Sequence, residues 1–176
     1  GHPWIGAQKP KLTISEFSDY QCHHCQRGHV ELRKLVSENP SSLRLVHRHY
    51  PLDHACNELL KRPFHEHACS YAVLAECAGE QGRFWEANDF LFEKGRRKEP
   101  VTASELGAAV ELDAKALSAC VKAGEALSVV LKDLVSGRGL RIRGTPTYVV
   151  GDRTYPGKIP QDVLAPVLGG AGGARD

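Results

Sequence analysis

The sequence predicts a mixed α/β fold: a sheet flanked by helices and interrupted by a helical insertion. Three observations lead there. A strand–helix–strand run opens the patterned part of the chain, helical periodicity fills its middle, and a tight hairpin followed by a helix closes it. A strand–helix–strand start implies a parallel pair with a right-handed crossover, and the hairpin adds antiparallel strands to the same sheet.

The first strand is read from Leu12 to Ser18, where Leu12, Ile14 and Phe17 form a short apolar run ending at Asp19. From His23 to Ser37, Val30, Leu32, Leu35 and Val36 recur at helical spacing, and Asn39-Pro40 stops the helix. Leu43 to Tyr50 alternates as a second strand, closed by Pro51. Pro63 suits a helix start, and Ala68, Tyr71, Ala72, Ala75 and Ala78 give that helix an apolar stripe before Gly79. Phe84, Trp85, Phe90, Leu91 and Phe92 mark an aromatic-rich helix ending near Gly95, read as insertion core rather than a binding platform. Thr102 and Asp113 are N-caps for two short helices, with Glu105 completing a capping-box pattern after Thr102. Glu125 to Arg138 reads as one more helix. Thr147–Val150 and Thr154-Tyr155 then form a hairpin about Gly151-Asp152, and Pro160 opens a last helix through Leu168. The implied divisions are 1–62, a helical insertion at 63–139, a returning segment at 140–168, and a flexible glycine-rich tail at 169–176.

Composition narrows the function classes. A chain of 176 residues is one domain's worth, and its 25% charged residues exclude global disorder. A net charge of +2 gives no basic field for nucleic acid. No stretch approaches the ~20 apolar residues of a membrane span, so no membrane insertion of this fragment is expected. Six cysteines lean towards an oxidising compartment. The chain has no methionine, so Gly1 is read as following a removed signal or membrane segment, or as the start of a domain from a longer protein.

The chemistry is carried by Cys22-His23-His24-Cys25, which follows the first strand and opens the first helix. A cysteine at a helix N-terminus meets unpaired N–H groups and the positive end of the dipole, which stabilise a thiolate. His24 adds a polar, ionisable neighbour. Cys22 is therefore expected to be the acidic, attacked sulfur, and Cys25, one turn further in, the resolving one. A stabilised thiolate stabilises the reduced form, so the two histidines between the cysteines, His23 and His24, argue for donating disulfides rather than reducing them. Zinc is the competing use of C-x-x-C, but such sites carry a second ligand pair. No second C-x-x-C exists, and only His47/His49 and His65/His67 could supply nitrogen ligands. The redox reading needs no cofactor beyond the Cys22–Cys25 disulfide.

Gly144-Thr145-Pro146-Thr147 precedes the hairpin strand. A cis peptide there would present the Thr145 backbone to a substrate strand beside Cys22. An ordinary strand-initiating turn is the alternative.

The run Glu16-Phe17-Ser18-Asp19-Tyr20-Gln21-Cys22-His23-His24-Cys25, together with the Gly-Thr-Pro-Thr element, resembles the DsbA-like branch of the thioredoxin superfamily from Lys11 to Leu168. The resemblance implies a thioredoxin fold, with Thr145 and Pro146 as substrate-binding residues of a cis-proline loop. It also implies disulfide exchange with reduced, unfolded proteins in the periplasm or at the extracytoplasmic face of the membrane. Glu16 matches a buried acid that moves a proton to and from the second cysteine; a strand-edge charge is the other reading. His24 matches the branch's usual histidine, whereas His23 stands where proline is usual. His2-Pro3-Trp4-Ile5-Gly6-Ala7, Tyr50-Pro51-Leu52-Asp53, Ala55-Cys56-Asn57 and Gly82-Arg83-Phe84-Trp85-Glu86 further resemble DsbA-like domains fused to bacterial homologues of vitamin K epoxide reductase. That resemblance implies reoxidation by a quinone-linked membrane partner of the DsbB or vitamin K epoxide reductase type, or by such a domain fused upstream.

Cys56, Cys69, Cys77 and Cys120 remain. Cys69 and Cys77 lie about 12 Å apart along one predicted helix, too far for a disulfide. If all four pair, two pairings survive, 56–69 with 77–120 or 56–77 with 69–120; four buried free thiols are the alternative. The first is preferred because it ties the loop after Pro51 to the next helix and staples the insertion internally. Cys56, beside His54, could instead be a second exchange centre. Arg96-Arg97-Lys98 and the cluster Arg138, Arg141, Arg143 read as solvated surface, the second with the option of touching substrate. An isomerase or reductase, or a metal-binding or thiol-chaperone module, are the alternative functions.

Overall fold

The computed structural model describes residues 1–168; the tail expected to be flexible, 169–176, lies outside the described residues. Five strands form one sheet, β1 (Trp4–Gly6), β2 (Leu12–Ser18), β3 (Leu43–His49), β4 (Thr147–Val150) and β5 (Arg153–Pro156), in the order β1-β3-β2-β4-β5. Between them run α1 (His23–Glu38), α2 (Ala68–Glu80), α3 (Phe84–Arg97), α4 (Ala103–Ala109), α5 (Ala114–Ala123) and α6 (Glu125–Gly139), and α7 (Gln161–Leu168) closes the chain. β2 and β3 pair in parallel across the α1 crossover, while β4 and β5 are antiparallel to their neighbours. This is the predicted mixed sheet of a thioredoxin fold, with α2–α6 inserted between β3 and β4.

The pleat divides the buried side chains between two cores. Ile14, Leu43, Leu45 and Tyr148 pack with Leu32 and Val36 of α1 and Val167 of α7. On the opposite face Phe17 and Tyr50 join Tyr71, Leu91, Leu117 and Leu134 of the inserted helices. Asp133 fixes α6 to the sheet: its buried carboxylate accepts from Arg48 Nε at 2.6 Å and from the His49 N–H at 2.8 Å. Phe84 and Phe92 are core, with Trp85 and Phe90 partly buried against it.

Two differences from the sequence reading concern segments whose partners are distant. β1 was unsigned, because three residues show no alternation; it exists through pairing with β3 and the stacking of Arg44 on Trp4 at 4.1 Å. The helix expected from Pro63 begins at Ala68. The preceding backbone is committed elsewhere, with the His65 N–H on the Leu52 carbonyl and the His67 N–H on Gln21 Oε1. Thr102 and Asp113 cap as expected, but Glu105 pairs with Lys94 at 2.7 Å.

The insertion carries two disulfides, Cys56–Cys69 and Cys77–Cys120, the pairing preferred above. The first anchors the loop after β3 to the start of α2. The second joins α2 to α5.

Candidate active site

Three chain segments converge at the end of β2. The strand delivers Asp19, Tyr20 and Gln21, and the chain turns into α1 with Cys22 as its N-cap in extended conformation. The Cys22 N–H bonds the Asp19 carbonyl at 3.1 Å, which fixes the sulfur over the helix mouth. Its side chain faces the Thr145–Pro146 loop, where the peptide bond is cis, and Cys22 Sγ donates to the Thr145 carbonyl at 3.5 Å. Cys22 and Cys25 are both free thiols. Cys22 retains 8% exposure and Cys25 none.

These surroundings separate the two sulfurs electrostatically. The hydrogen bond from Cys25 is the strongest influence on Cys22, and the N–H groups of Cys25 and His24 and the Thr145 hydroxyl add to it; together they outweigh burial and bring its pKa down to about 5. The Thr145 hydroxyl is buried with no other hydrogen-bond partner among the described residues, so it is available to the sulfurs. Burial, followed by the bond and charge of Cys22, drives Cys25 well above the ordinary thiol value. His24 thus reaches Cys22 through its backbone. Its imidazole Nδ1 lies 2.8 Å from Arg27 Nη2, and its ring lies against that of His23, centroids 3.9 Å apart.

Glu16 is wholly buried on the central strand β2, not at a strand edge. Burial raises its pKa to about 8, with the Ser18 hydroxyl at 3.4 Å opposing weakly. Oε2 has no partner among the described residues. Glu16 pairs across β2·β4 with Tyr148, whose hydroxyl occupies the space where a Cβ on Gly28 would stand, one turn beyond Cys25. Tyr148 carries a raised pKa, chiefly through burial and then through Glu16 and Cys25.

Sequence reasoning missed Asp19 and His65. Asp19 is buried; its carboxylate accepts from the Gln21 N–H at 2.7 Å and the Leu52 N–H at 2.6 Å, and lies 2.9 Å from His65 Nδ1. Burial works to lower the His65 pKa, but the bond and charge of Asp19, aided by Cys22, raise it overall. The disulfide-stapled loop is thereby latched three residues from Cys22. An acid three residues before the helix-opening cysteine was the available signal. Tyr148 was signalled only by Gly28, whose missing side chain makes room for it. Among the described residues, no group of three or more His, Cys, Asp or Glu is placed to hold a metal ion. His47 and His49 are buried among Tyr20, Phe84 and Phe92, the His65 imidazole bonds Asp19, and His67 bonds Gln21 through its backbone N–H.

An acidified thiolate backed by a buried, protonated thiol exchanges disulfides, and on this sheet it makes the chain a thiol:disulfide oxidoreductase of the DsbA-like kind. The chain belongs to the thioredoxin family, whose model, described as "Thioredoxin", matches residues 1–168. A thioredoxin-like oxidoreductase from Silicibacter pomeroyi DSS-3 superposes with a TM-score of 0.72 at 26% identity, covering 99% of this chain and 94% of that one. DsbA2 of Pseudomonas aeruginosa gives 0.70 at 27% identity, covering 95% and 92%. A periplasmic thioredoxin-like protein from Salmonella enterica serovar Typhimurium gives 0.67 at 25%, covering 96% and 88%. Among curated proteins, the Na(+)/H(+) antiporter NhaA 3 of Salinispora tropica is 26% identical over 160 residues, 91% of this chain and 23% of its own length. The antiporter NhaA of Herminiimonas arsenicoxydans is 26% identical over 163 residues, 93% and 24%. The chain thus spans about a quarter of the length of these curated relatives.

Proposed function

We propose that this chain donates disulfides to reduced, unfolded proteins through Cys22 and Cys25. The observation that carries the direction is the acidity of Cys22, near 5 against an ordinary thiol value of 9. At pH 7 a pKa of 5 stabilises the dithiol by about 3 kcal/mol, which makes the disulfide about 60 mV more oxidising than an unperturbed pair.

In the first step a client thiolate attacks Cys22 of the disulfide, the Cys22–Cys25 bond breaks, and Cys25 leaves with the electron pair. Protonated Glu16 gives its proton to the departing Cys25 sulfur. A second client thiolate then attacks the client sulfur of the mixed disulfide and expels Cys22, whose low pKa makes it a good leaving group. The client strand lies against the backbone of Thr145 and Pro146. The only redox group required is the cysteine pair itself.

The dithiol is then reoxidised by a quinone-linked membrane partner of the DsbB or vitamin K epoxide reductase type, or by such a domain in the same polypeptide. Supporting an extracytoplasmic, membrane-associated setting are the two further disulfides, the periplasmic neighbour, and curated relatives that are membrane antiporters several times longer. No helix among the described residues is long and apolar enough to cross a membrane.

The test uses variants and a redox equilibrium. Cys22→Ala should abolish oxidation of a reduced, unfolded protein, and Cys25→Ala should accumulate mixed disulfides. Equilibration with glutathione should show a potential well above a reductase's; a reductase-like potential, or full oxidase activity in Cys22→Ala, would sink the proposal.

A further inference from the structure

Beside the reactive pair lies an open cavity of about 490 Å³ with Thr145 and Pro146 in its wall. Its ionisable lining residues are His24, Arg141 and Arg143; no carboxylate lines it. On the far side of His24 a second cavity of about 450 Å³ continues the groove, where Arg27 and Lys158 outnumber Glu31. A chain with a net charge of only +2 thus gathers cations around its substrate loop.

Arg141 and Arg143 differ from most of the other arginines. Arg33 is paired with Asp89, Arg48 with Asp133, Arg83 with Glu86, Arg96 and Arg97 with Glu93, and Arg138 with Glu58. Neither Arg141 nor Arg143 has a carboxylate within ion-pair distance among the described residues, and both are exposed. Their placement is nevertheless fixed by the backbone. Between them Ile142 is buried, its N–H on the Gly137 carbonyl at 2.9 Å and its own carbonyl accepting the Tyr50 hydroxyl at 2.9 Å. With Ile142 turned inward, the two flanking side chains turn outward beside the cavity. Arg141 holds a left-handed backbone, φ 59°, which side-chain-bearing residues rarely adopt and glycine adopts freely. A bulky cation is kept where the turn itself would favour glycine.

We infer that Arg141 and Arg143 select client segments carrying aspartate or glutamate beside the cysteine. This rests on the disulfide-donating reading and names its substrate class. The client's carboxylates meet the two guanidiniums while its cysteine meets Cys22 and its backbone the Thr145 peptide. The guanidiniums stand partly in solvent, so their effect is on encounter and register and weakens with salt.

The test uses three reduced peptides with a single cysteine flanked on both sides by aspartates, asparagines or lysines. The oxidised chain is the reactant, and each rate is normalised to the same peptide's rate with a small neutral disulfide, which cancels differences in thiol pKa. At low ionic strength the aspartate peptide should react roughly tenfold faster than the lysine peptide, with the advantage shrinking at high salt. Arg141→Gln with Arg143→Gln should bring the ratio near one, and Arg141→Glu with Arg143→Glu should invert it. Equal normalised rates in the unaltered chain, or a ratio that survives both double variants, overturn the selectivity while leaving disulfide donation standing. Failure to oxidise any peptide overturns the donation reading and the selectivity with it.

Discussion

Replacing Glu16 by glutamine tests the polar logic beneath the cysteines. In the folded chain its carboxyl keeps a proton up to about pH 8 against an ordinary 4.5, because it is buried. The unfolded chain releases that proton above about 4.5, so between these values the folded state holds more protons and stability falls as pH rises. One proton gives a slope of about 1.4 kcal/mol per pH unit, or about 4 kcal/mol between pH 5 and 8. Glu16→Gln removes that slope. Its absolute effect at one pH is less telling, because an unpartnered amide costs about 1–3 kcal/mol where Glu16 Oε2 now stands. The assay is denaturant unfolding of both proteins at intervals from pH 5 to 8, with Cys22–Cys25 oxidised so that neither thiol titrates. The difference between the two stability curves should grow by several kcal/mol in the variant's favour towards high pH. Parallel curves would refute the raised pKa, and with it the proton delivery assigned to this residue.

Three further outcomes follow from the structure. Iodoacetamide should alkylate Cys22 with a pH midpoint near 5, and Thr145→Val should move that midpoint upward by removing a hydroxyl donor; an unchanged midpoint would take Thr145 out of thiolate stabilisation. Asp133→Ala should destabilise the chain by about 3–5 kcal/mol in urea, because it strands the Arg48 guanidinium and the His49 N–H; a loss below 1 kcal/mol would show that α6 is held by apolar packing alone. His47 is held neutral by burial, its pKa well below the ordinary 6.5. The unfolded chain therefore takes up the proton first, and stability is lost as pH falls below about 6.5, by up to 1.4 kcal/mol per unit. His47→Phe should flatten that acid limb, and an identical limb in both proteins would contradict the assignment.

What could be read from the sequence was whatever local pattern encodes. The parallel start was written in the apolar spacing of Leu12, Ile14 and Phe17 and of the helix after it, and the reactive pair in the position of Cys22 at that helix's first turn. The geometry that excluded a Cys69–Cys77 bond needed only helical rise. Other features depend on partners far along the chain. β1 exists because β3 offers it an edge, and α2 starts late because the backbone before it is spent on Leu52 and Gln21. Asp19 itself looked like a strand-ending turn residue, although its carboxylate joins the strand end to a loop that returns more than thirty residues later. Asp133 was equally silent, since a lone acid on an amphipathic helix gives no hint that it faces a sheet arginine.

The Cys22 sulfur and the Thr145 carbonyl it meets are 123 residues apart. A polypeptide emerging from its N-terminus therefore exposes both reactive cysteines long before the wall that shapes one side of their pocket has been made. During that interval Cys22 has its helix N–H groups but lacks the hydroxyl and the carbonyl of Thr145. The site is complete only when β4 closes against β2, so the surroundings of the cysteine pair depend on completion of the sheet. A chain truncated before Thr145 would hold the same Cys-His-His-Cys sequence with a less acidic and less oxidising thiol.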